Sequence, residues 1–370
     1  MKSQKMEIII TDLPPRPFMV MKLRNKGLLY ISNKTRMTFN KKRVILIMVL
    51  LSFCANAQDP IFTQSNYIQE TLNPGFSGFE DSDRIAAGVL SRTQWPNLDL
   101  RIDTQYAYLN KSFDYGPSLG FGVGINFLRQ HETFNKYNYY QLNANYVHRV
   151  NLDGGWYFRP ALEVGLGFKD IGFSNLTLAD QININTGVIN PVSVDPLSNN
   201  TDNVFFGDIS AGFVFEREEF NGITYWFGAS AKHLNRPNIS FVQGEKLPLD
   251  IFYSLHGNFR FPFLNDYSIM MTANFMQQGE YNRLDIGSLF MVNQFLIGIT
   301  VATNPAMNDD NSHLLTSING FLGLEYDEFR FGLSYDANTS KIGRTNGVYE
   351  LSVTYLSRCR RCNIDRSRKR

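Results

Sequence analysis

Alternation between apolar and polar side chains, repeated along most of residues 84–357, constrains the fold of this chain more than any other feature. In residues 156–169, one set of alternate positions is apolar, and the other is mostly small or charged. The first set is Trp156, Phe158, Pro160, Leu162, Val164, Leu166 and Phe168, and the second is Tyr157, Arg159, Ala161, Glu163, Gly165, Gly167 and Lys169. Alternate residues of a β-strand point to opposite faces. The segment therefore predicts a strand with one face suited to lipid and the other to a polar lumen.

Fourteen segments share this alternation and predict an all-β fold, a transmembrane antiparallel β-barrel of about 14 strands over residues 84–357. The segments are 84–94, 100–109, 118–129, 137–150, 156–169, 205–216, 223–234, 250–261, 267–277, 281–292, 294–302, 313–326, 328–336 and 347–357. Most are long enough for a tilted strand to cross the hydrocarbon layer. An even number of strands is typical of single-chain bacterial outer-membrane barrels.

The connections between these segments alternate between long and short. If residue 58 starts on the periplasmic side, connections after odd-numbered strands face outward. The outward connections include 170–204, 235–249, 303–312 and 337–346, and the short inward turns include 151–155, 262–266, residue 293 and residue 327. Outer-membrane barrels have short periplasmic turns and longer outer loops. The alternation of long and short connections therefore favours such a barrel over a soluble β-sandwich or propeller.

A secretory signal peptide is predicted for residues 37–57. Residues 41–43 are basic, residues 44–54 are apolar, and residues 55–57 read Ala-Asn-Ala, which supplies the small residues that signal peptidase requires. We therefore expect cleavage before Gln58 and export to the bacterial outer membrane.

Two details surround this signal. Cys54 raises the alternative of a lipoprotein signal, but Phe53 stands where such a signal has a small residue. A signal peptide belongs at the extreme N-terminus, yet 36 residues precede Met37. We therefore expect residues 1–36 to reflect a start assigned upstream of the natural one, with no structural role.

Charge is distributed unevenly along the chain. The overall net charge of +2 combines +9 in residues 1–57, +6 in the basic tail 358–370 and −13 in residues 58–357. Because nucleic-acid binding depends on basic residues that neutralise phosphates, an acidic body gives no reason to expect nucleic acid as a partner. The 30 Phe and 18 Tyr residues fit the aromatic girdles of a membrane barrel.

The five histidines offer no site for metal chemistry. None has the His-Glu-x-x-His spacing of a zinc protease or a partner two residues away. His148 and His256 lie in predicted strands, where a hydrogen-bonded or lumen-facing role is favoured over catalysis. We therefore expect no metal, no cofactor and no small-molecule substrate.

Residues 58–83 precede the first predicted strand and are rich in large apolar side chains. The segment contains Phe62, Tyr67, Leu72, Phe76 and Phe79, and Pro60 and Pro74 interrupt it. It could be a plug inside the lumen or a docking segment in the periplasm, and the sequence does not choose between these. The connection 235–249, with Ile239, Phe241 and Val242, is a second candidate contact surface.

Several separated motifs resemble one known family. They are Gln58-Asp59-Pro60-x-Phe62-x-Gln64, Leu72-Asn73-Pro74-x-x-x-Gly78, Arg92-x-Gln94-Trp95-Pro96, His233-Leu234-x-x-Pro237-x-x-x-Phe241, Tyr335-Asp336-x-Asn338-x-Ser340 and Gly347-x-Tyr349-Glu350-Leu351-Ser352. In this order they resemble the PorP/SprF family of type IX secretion system membrane proteins. The likeness runs from residue 58 to about residue 357, and the Cys-containing basic tail departs from the usual ending.

The resemblance implies an outer-membrane barrel that works with the type IX secretion machinery. Some members serve the core machine beside its periplasmic ring, and others are paired with one large secreted protein such as a gliding adhesin. The resemblance transfers no catalytic residues, so it implies a protein that is not an enzyme. The candidate docking or structural positions are Gln58, Asp59, Pro60, Phe62, Asn73, Pro74, Gly78, Trp95, Pro96, His233, Pro237 and Phe241.

Two functions are therefore weighed, since a third, a surface hydrolase, needs a nucleophile that the sequence does not offer. The first is a secretion or surface-anchoring factor whose partners are components of the secretion machinery, a secreted cargo protein, or both, within outer-membrane lipid. The second is a porin-like channel for solutes or lipids. An open, hydrated lumen would favour the channel, and a filled lumen would disfavour it.

Overall fold

The computed structural model of the chain describes residues 8–11, 18–21, 59–79, 84–114, 119–172, 179–183, 186, 188–194, 203–219, 222–242, 244–264, 267–305, 314–339 and 345–358. The chain divides into two compact units, Met1–Ala55 and Asn56–Arg370. In the first unit, Ile8–Thr11 and Phe18–Met21 pair as an antiparallel hairpin. The natural start near Met37 and the signal peptide at residues 37–57 stay predictions, and the latter, like most of the basic tail, lies outside the described residues.

The second unit contains a closed barrel of fourteen antiparallel strands. They are β1 Ile85–Gln94, β2 Ile102–Asp114, β3 Leu119–Glu132, β4 Asn138–Asn151, β5 Trp156–Asp170, β6 Asn203–Glu218, β7 Thr224–Lys232, β8 Phe252–Leu264, β9 Tyr267–Gln278, β10 Tyr281–Val292, β11 Phe295–Asn304, β12 Leu314–Tyr326, β13 Phe329–Asn338 and β14 Val348–Leu356. Each strand pairs with the next, and β14 closes the barrel against β1, with Val348 opposite Gln94 and Leu356 opposite Ala86. The predicted fold class and strand count are confirmed.

The two faces of the strands follow the predicted alternation. Leu162 and Val164 of β5 are 62% and 59% exposed on the outer wall, whereas Glu163 between them is 6% exposed inside the barrel. In β13, Leu333 points outward and Asp336 points inward. Outward apolar side chains are stable here because their surroundings in a membrane are hydrocarbon rather than water.

The long and short connections lie at opposite ends of the barrel. Connections after odd-numbered strands include 171–202, 233–251, 305–313 and 339–347, with the two-residue turn 279–280 as an exception. Those after even-numbered strands are five residues or shorter, such as 219–223 and 293–294. The asymmetry identifies the short-turn end as the periplasmic end and the long-loop end as the outer end.

Aromatic side chains form girdles on the outer wall. Near the periplasmic end, Trp156, Phe158, Phe215 and Phe227 form a cluster with ring centroids 4.6 to 6.1 Å apart. Near the outer end, the rings of Tyr335 and Tyr349 lie 4.9 Å apart. Aromatic residues at these two levels are what the interfaces of a membrane barrel favour.

Residues 59–79 run through the barrel interior before β1 begins. The main-chain nitrogen of Asp59 bonds to Gln278, the last residue of β9 at the outer end. Gly78 approaches Gly122, near the periplasmic start of β3. The segment therefore begins at the outer end, which differs from the expectation that residue 58 starts on the periplasmic side. The difference arises because the segment crosses the lumen and only then enters β1 from the periplasmic end.

Candidate functional site

The candidate site is the lumenal segment, residues 59–79, together with the inner wall that holds it. The segment consists of three 3₁₀ turns, Thr63–Asn66, Gln69–Thr71 and Pro74–Phe76. Asn73 caps the third turn, because its side-chain oxygen accepts a hydrogen bond from the Gly75 nitrogen at 2.8 Å. Pro74 is suited to its place at the start of that turn, where no main-chain donor is needed.

Four apolar side chains anchor the segment, namely Phe62, Ile68, Leu72 and Phe76, and all are buried. The Phe62 ring lies 5.9 Å from the ring of Tyr106, and the Phe76 ring lies 4.8 Å from that of Trp226. Burying a side chain of this size stabilises by about 1.5–3 kcal/mol. The segment is therefore held partly as an extension of the barrel's own interior core.

An ion-pair cluster holds the outer end of the segment. The fully buried His233 places Nε2 2.7 Å from the Asp59 carboxylate and Nδ1 2.9 Å from the Asp208 carboxylate. Burial alone would lower the pKa of His233, but these two carboxylates outweigh it and raise the pKa to about 9. Burial would raise the pKa of Asp59, but His233, with Lys232 and Lys169, holds it at about 2. We call Asp59, His233 and Asp208 the outer latch.

A buried carboxylate binds the first 3₁₀ turn. Glu350 of β14 accepts hydrogen bonds from the main-chain nitrogens of Thr63 at 2.8 Å and Gln64 at 2.9 Å. Arg92 of β1 pairs with the same carboxylate at 2.5 Å. Asp336 of β13 accepts from the Thr63 hydroxyl at 2.5 Å. Charged partners and main-chain donors together offset the cost of burying these carboxylates.

Strand main chain and an arginine hold the periplasmic half of the segment. The Asn73 side-chain nitrogen donates to the carbonyl oxygens of Phe213 at 2.9 Å and Ala229 at 3.0 Å. Arg159 of β5 donates to the carbonyl oxygens of Gly78 at 2.6 Å and Gly75 at 3.3 Å. This half is thereby fixed against β5, β6 and β7.

Two glycines allow the segment to touch the wall. Gly78 has φ +66°, a conformation that side-chain-bearing residues rarely adopt. A Cβ at Gly122 of β3 would overlap the Ser77 carbonyl oxygen and would lie 3.2 Å from the Gly78 Cα. Gly122 of β3 therefore provides space for the lumenal segment.

The structure brings some of the predicted site residues together. Asp59 and His233 pair directly, and Phe62, Asn73, Pro74 and Gly78 lie in the lumenal segment with the half-buried Pro60. Trp95 follows β1, where its main-chain nitrogen donates to the Gly347 carbonyl oxygen, and Pro96 follows it in the connection to β2. Gln58 lies outside the described residues.

The connection 233–251 folds over the outer end. Pro237 accepts a hydrogen bond from the Leu249 nitrogen through its carbonyl oxygen. Leu249 and Ile239 are buried in the same apolar cluster as Phe62. Ile239, which is 4% exposed, is therefore not part of a free contact surface, and Phe241 is half-buried.

Sequence reasoning did not select several residues that hold the segment. Arg92, Asp336 and Glu350 occur in the quoted motifs, and their inward parity on strands was the available signal. Arg159 was identified as facing the lumen, but its bonds to Gly75 and Gly78 had no sequence signal.

The polar and charged groups of this site bond within the chain. In the described part of the chain, no group of three or more His, Cys, Asp or Glu side chains is arranged to hold a metal ion. None of the described helices is both long and apolar enough to cross a membrane. We call Arg92, Asp336 and Glu350 the Glu350 cluster. Within the latch and within this cluster, the charged groups contact one another and the lumenal segment.

Comparison with known proteins identifies one family. The model of the family described as type IX secretion system membrane protein PorP/SprF matches residues 54–355. No curated protein matches the chain.

Solved outer-membrane barrels are similar in structure but distant in sequence. The translocator domain of the autotransporter NalP from Neisseria meningitidis is 8% identical, with 86% of this chain and 98% of that chain covered and a TM-score of 0.34. The P. putida toluene transporter TodX is 10% identical, with coverages of 78% and 93% and a TM-score of 0.41. A Pseudomonas aeruginosa FadL homologue is 11% identical, with coverages of 76% and 92% and a TM-score of 0.42.

Proposed function

The chain belongs to the PorP/SprF family of type IX secretion system membrane proteins, and we propose that it supports secretion or surface display of cargo proteins through that system. Its partners would be components of the secretion machinery, a secreted cargo such as a gliding adhesin, or both. It would act without catalysis, as an integral outer-membrane protein exported by a signal peptide that is cleaved before Gln58.

The occupied lumen is the observation that supports this function over a solute channel. Side chains from β1, β5, β7, β9, β13 and β14 bond to the lumenal segment, which reaches from the outer end to the periplasmic end. A passive porin needs a water-filled path along the same axis. The porin-like alternative therefore requires the lumen to stay open, whereas a protein-binding role is compatible with a lumen that a polypeptide occupies.

The net charge of residues 58–357 indicates what kind of partner surface the protein would favour. Residues 58–357 carry a net charge of −13. Complementary charge accelerates association and suppresses wrong partners. A partner with a basic contact surface is therefore expected.

The test is to compare the proteins released or surface-displayed by cells with and without this gene. Loss of one large surface protein would identify a dedicated cargo factor, and loss of all type IX substrates would identify a core component. An unchanged profile in a strain without a second copy of the gene would contradict the proposal and favour the channel.

A further inference from the structure

The lumen wall binds the main chain of the lumenal segment as well as its side chains. Near the outer end, Glu350 accepts from two successive main-chain nitrogens, and Gln278 accepts from the Asp59 nitrogen at 2.7 Å. Every residue other than proline offers such donors. This part of the wall therefore recognises a feature common to polypeptides.

The wall also binds main-chain carbonyl oxygens of the lumenal segment. Lys232 donates to the Thr71 oxygen at 2.8 Å, and Ser230 donates to the Leu72 oxygen at 2.7 Å. Arg159 donates to the oxygens of Gly75 and Gly78. Side chains from β5, β7, β9 and β14 thus bind main-chain atoms along the whole lumenal segment.

We infer that the lumen wall is a polypeptide-binding site, occupied at rest by residues 59–79, and that a segment of a secreted partner binds there when this occupant is displaced. The inference rests on the proposed function for the identity of the partner. The binding site itself is inferred from the hydrogen bonds between wall side chains and main-chain atoms of residues 59–79.

The wall also defines which segments fit. Its outer end places His233 and Lys232 around the Asp59 carboxylate, which favours an acidic residue. An aromatic anchor follows three positions later at Phe62. Further apolar anchors follow at spacings of six, four and four residues, at Ile68, Leu72 and Phe76. The ligand class is therefore a largely irregular segment with an acidic start and this spacing of anchors.

Displacement has a defined direction. After the proposed cleavage before Gln58, the lumenal segment stays attached through its continuation to β1 at the periplasmic end. Its outer end is then held by the non-covalent contacts of the latch and the Glu350 cluster. The wall beneath it carries polar side chains, including Asn274, Ser334 and Ser352, that water can hydrate once the segment leaves. Release therefore begins at the outer end and leaves a hydrated lumen.

The test uses the full chain in detergent micelles and a fluorescein-labelled synthetic peptide of residues 59–79. A tethered occupant has an effective concentration in the millimolar range, so wild-type protein should resist a peptide added in trans. The double variant Asp59→Asn, Phe62→Ala weakens the occupant and leaves the wall intact. We expect its peptide affinity, read by fluorescence anisotropy, to exceed that of wild type by at least about tenfold, or about 1.4 kcal/mol.

Wall and peptide controls make the result specific. Ser230→Ala or Glu350→Gln, added to the double variant, should weaken peptide binding, and heat-modifiable gel mobility shows whether each barrel is folded. A peptide carrying Phe62→Ser and Phe76→Ser should not bind.

Two results would overturn the inference. One is a folded double variant whose residues 59–79 are open to protease but which binds no peptide. The other is a lumenal segment that stays protected in the double variant. Because this assay uses purified protein, its failure is separate from that of the proposed function, which is judged by the secreted proteins of cells lacking the gene.

Discussion

A single position on a strand has a different role according to the face on which its side chain lies. Leu162 faces lipid, and its neighbour Glu163 accepts a hydrogen bond from Asn126 at 2.8 Å inside the barrel. A change of charge is therefore expected to affect assembly differently at these two adjacent positions.

We expect Leu162→Arg to impair assembly much more than Glu163→Gln. A charge facing lipid at mid-membrane costs about 2–4 kcal/mol, whereas Gln keeps an oxygen that can accept from Asn126. The folded fraction in outer membranes, read from heat-modifiable mobility, measures the effect. Equal assembly of the two variants would show that the faces are assigned wrongly.

Gly122 is a second position with a specific requirement. We expect Gly122→Val to displace the lumenal segment, because its Cβ would overlap main-chain atoms that have little freedom to move. Proteolysis of residues 59–79 in the purified protein should accelerate by about tenfold or more, corresponding to about 1.4 kcal/mol.

Gly207→Ala is the matched control, since a Cβ at Gly207 meets nothing within 4 Å. Its proteolysis rate should equal that of wild type. Wild-type protection in Gly122→Val would mean that the segment does not depend on this close approach.

At the scale of elements, the latch connects the lumenal segment to the connection after β7. His233 has a pKa raised from 6.5 to about 9, so its contribution to stability is fully present below about pH 6.5 and is lost as the pH rises through about 9. Asp59 stays ionised throughout this window, because its pKa is about 2.

We therefore expect protection of residues 59–79 from protease to fall progressively between about pH 6.5 and about pH 9, the ordinary and the raised pKa of His233. His233→Gln should reduce protection at pH 7 and remove most of the pH dependence. Lys169→Gln tests the nearby lysine separately. An unchanged pH profile in His233→Gln would assign the transition to another group.

The strands were predictable from sequence and the path of the lumenal segment was not. Each strand carries a local signal, because alternation of two faces is imposed by lipid on one side and a polar lumen on the other. The side chain of Gln64 donates to the carbonyl oxygen of Glu350, which lies 286 positions away in the sequence. No periodic pattern in the sequence predicts a contact over that distance. The motifs named both residues, but only the closed barrel places β14 beside the segment.

The same limit applies to the candidate site residues. His233 and Asp59 were both selected, yet nothing in the sequence linked them, and Asp208 was missed because an inward carboxylate on a strand resembles many others. The connection at residues 235–249 was expected to offer Ile239 as a contact, whereas that side chain is buried in the apolar cluster that also contains Phe62.

At the scale of the whole molecule, the barrel and its occupant form one system. The wall supplies charges and polar groups, the segment supplies apolar anchors and main-chain partners, and the connection 233–251 covers the outer end. The proposed function predicts that this arrangement binds polypeptide and opposes free passage of solutes.

The most direct test of the central claim, that the lumen is filled by the chain itself, is conductance of the purified full chain in planar lipid bilayers. We predict no steady conductance for the wild-type protein and pore openings for Gly122→Val, in which the segment is displaced. Steady, porin-sized conductance of the wild-type protein would contradict the account and establish an open channel.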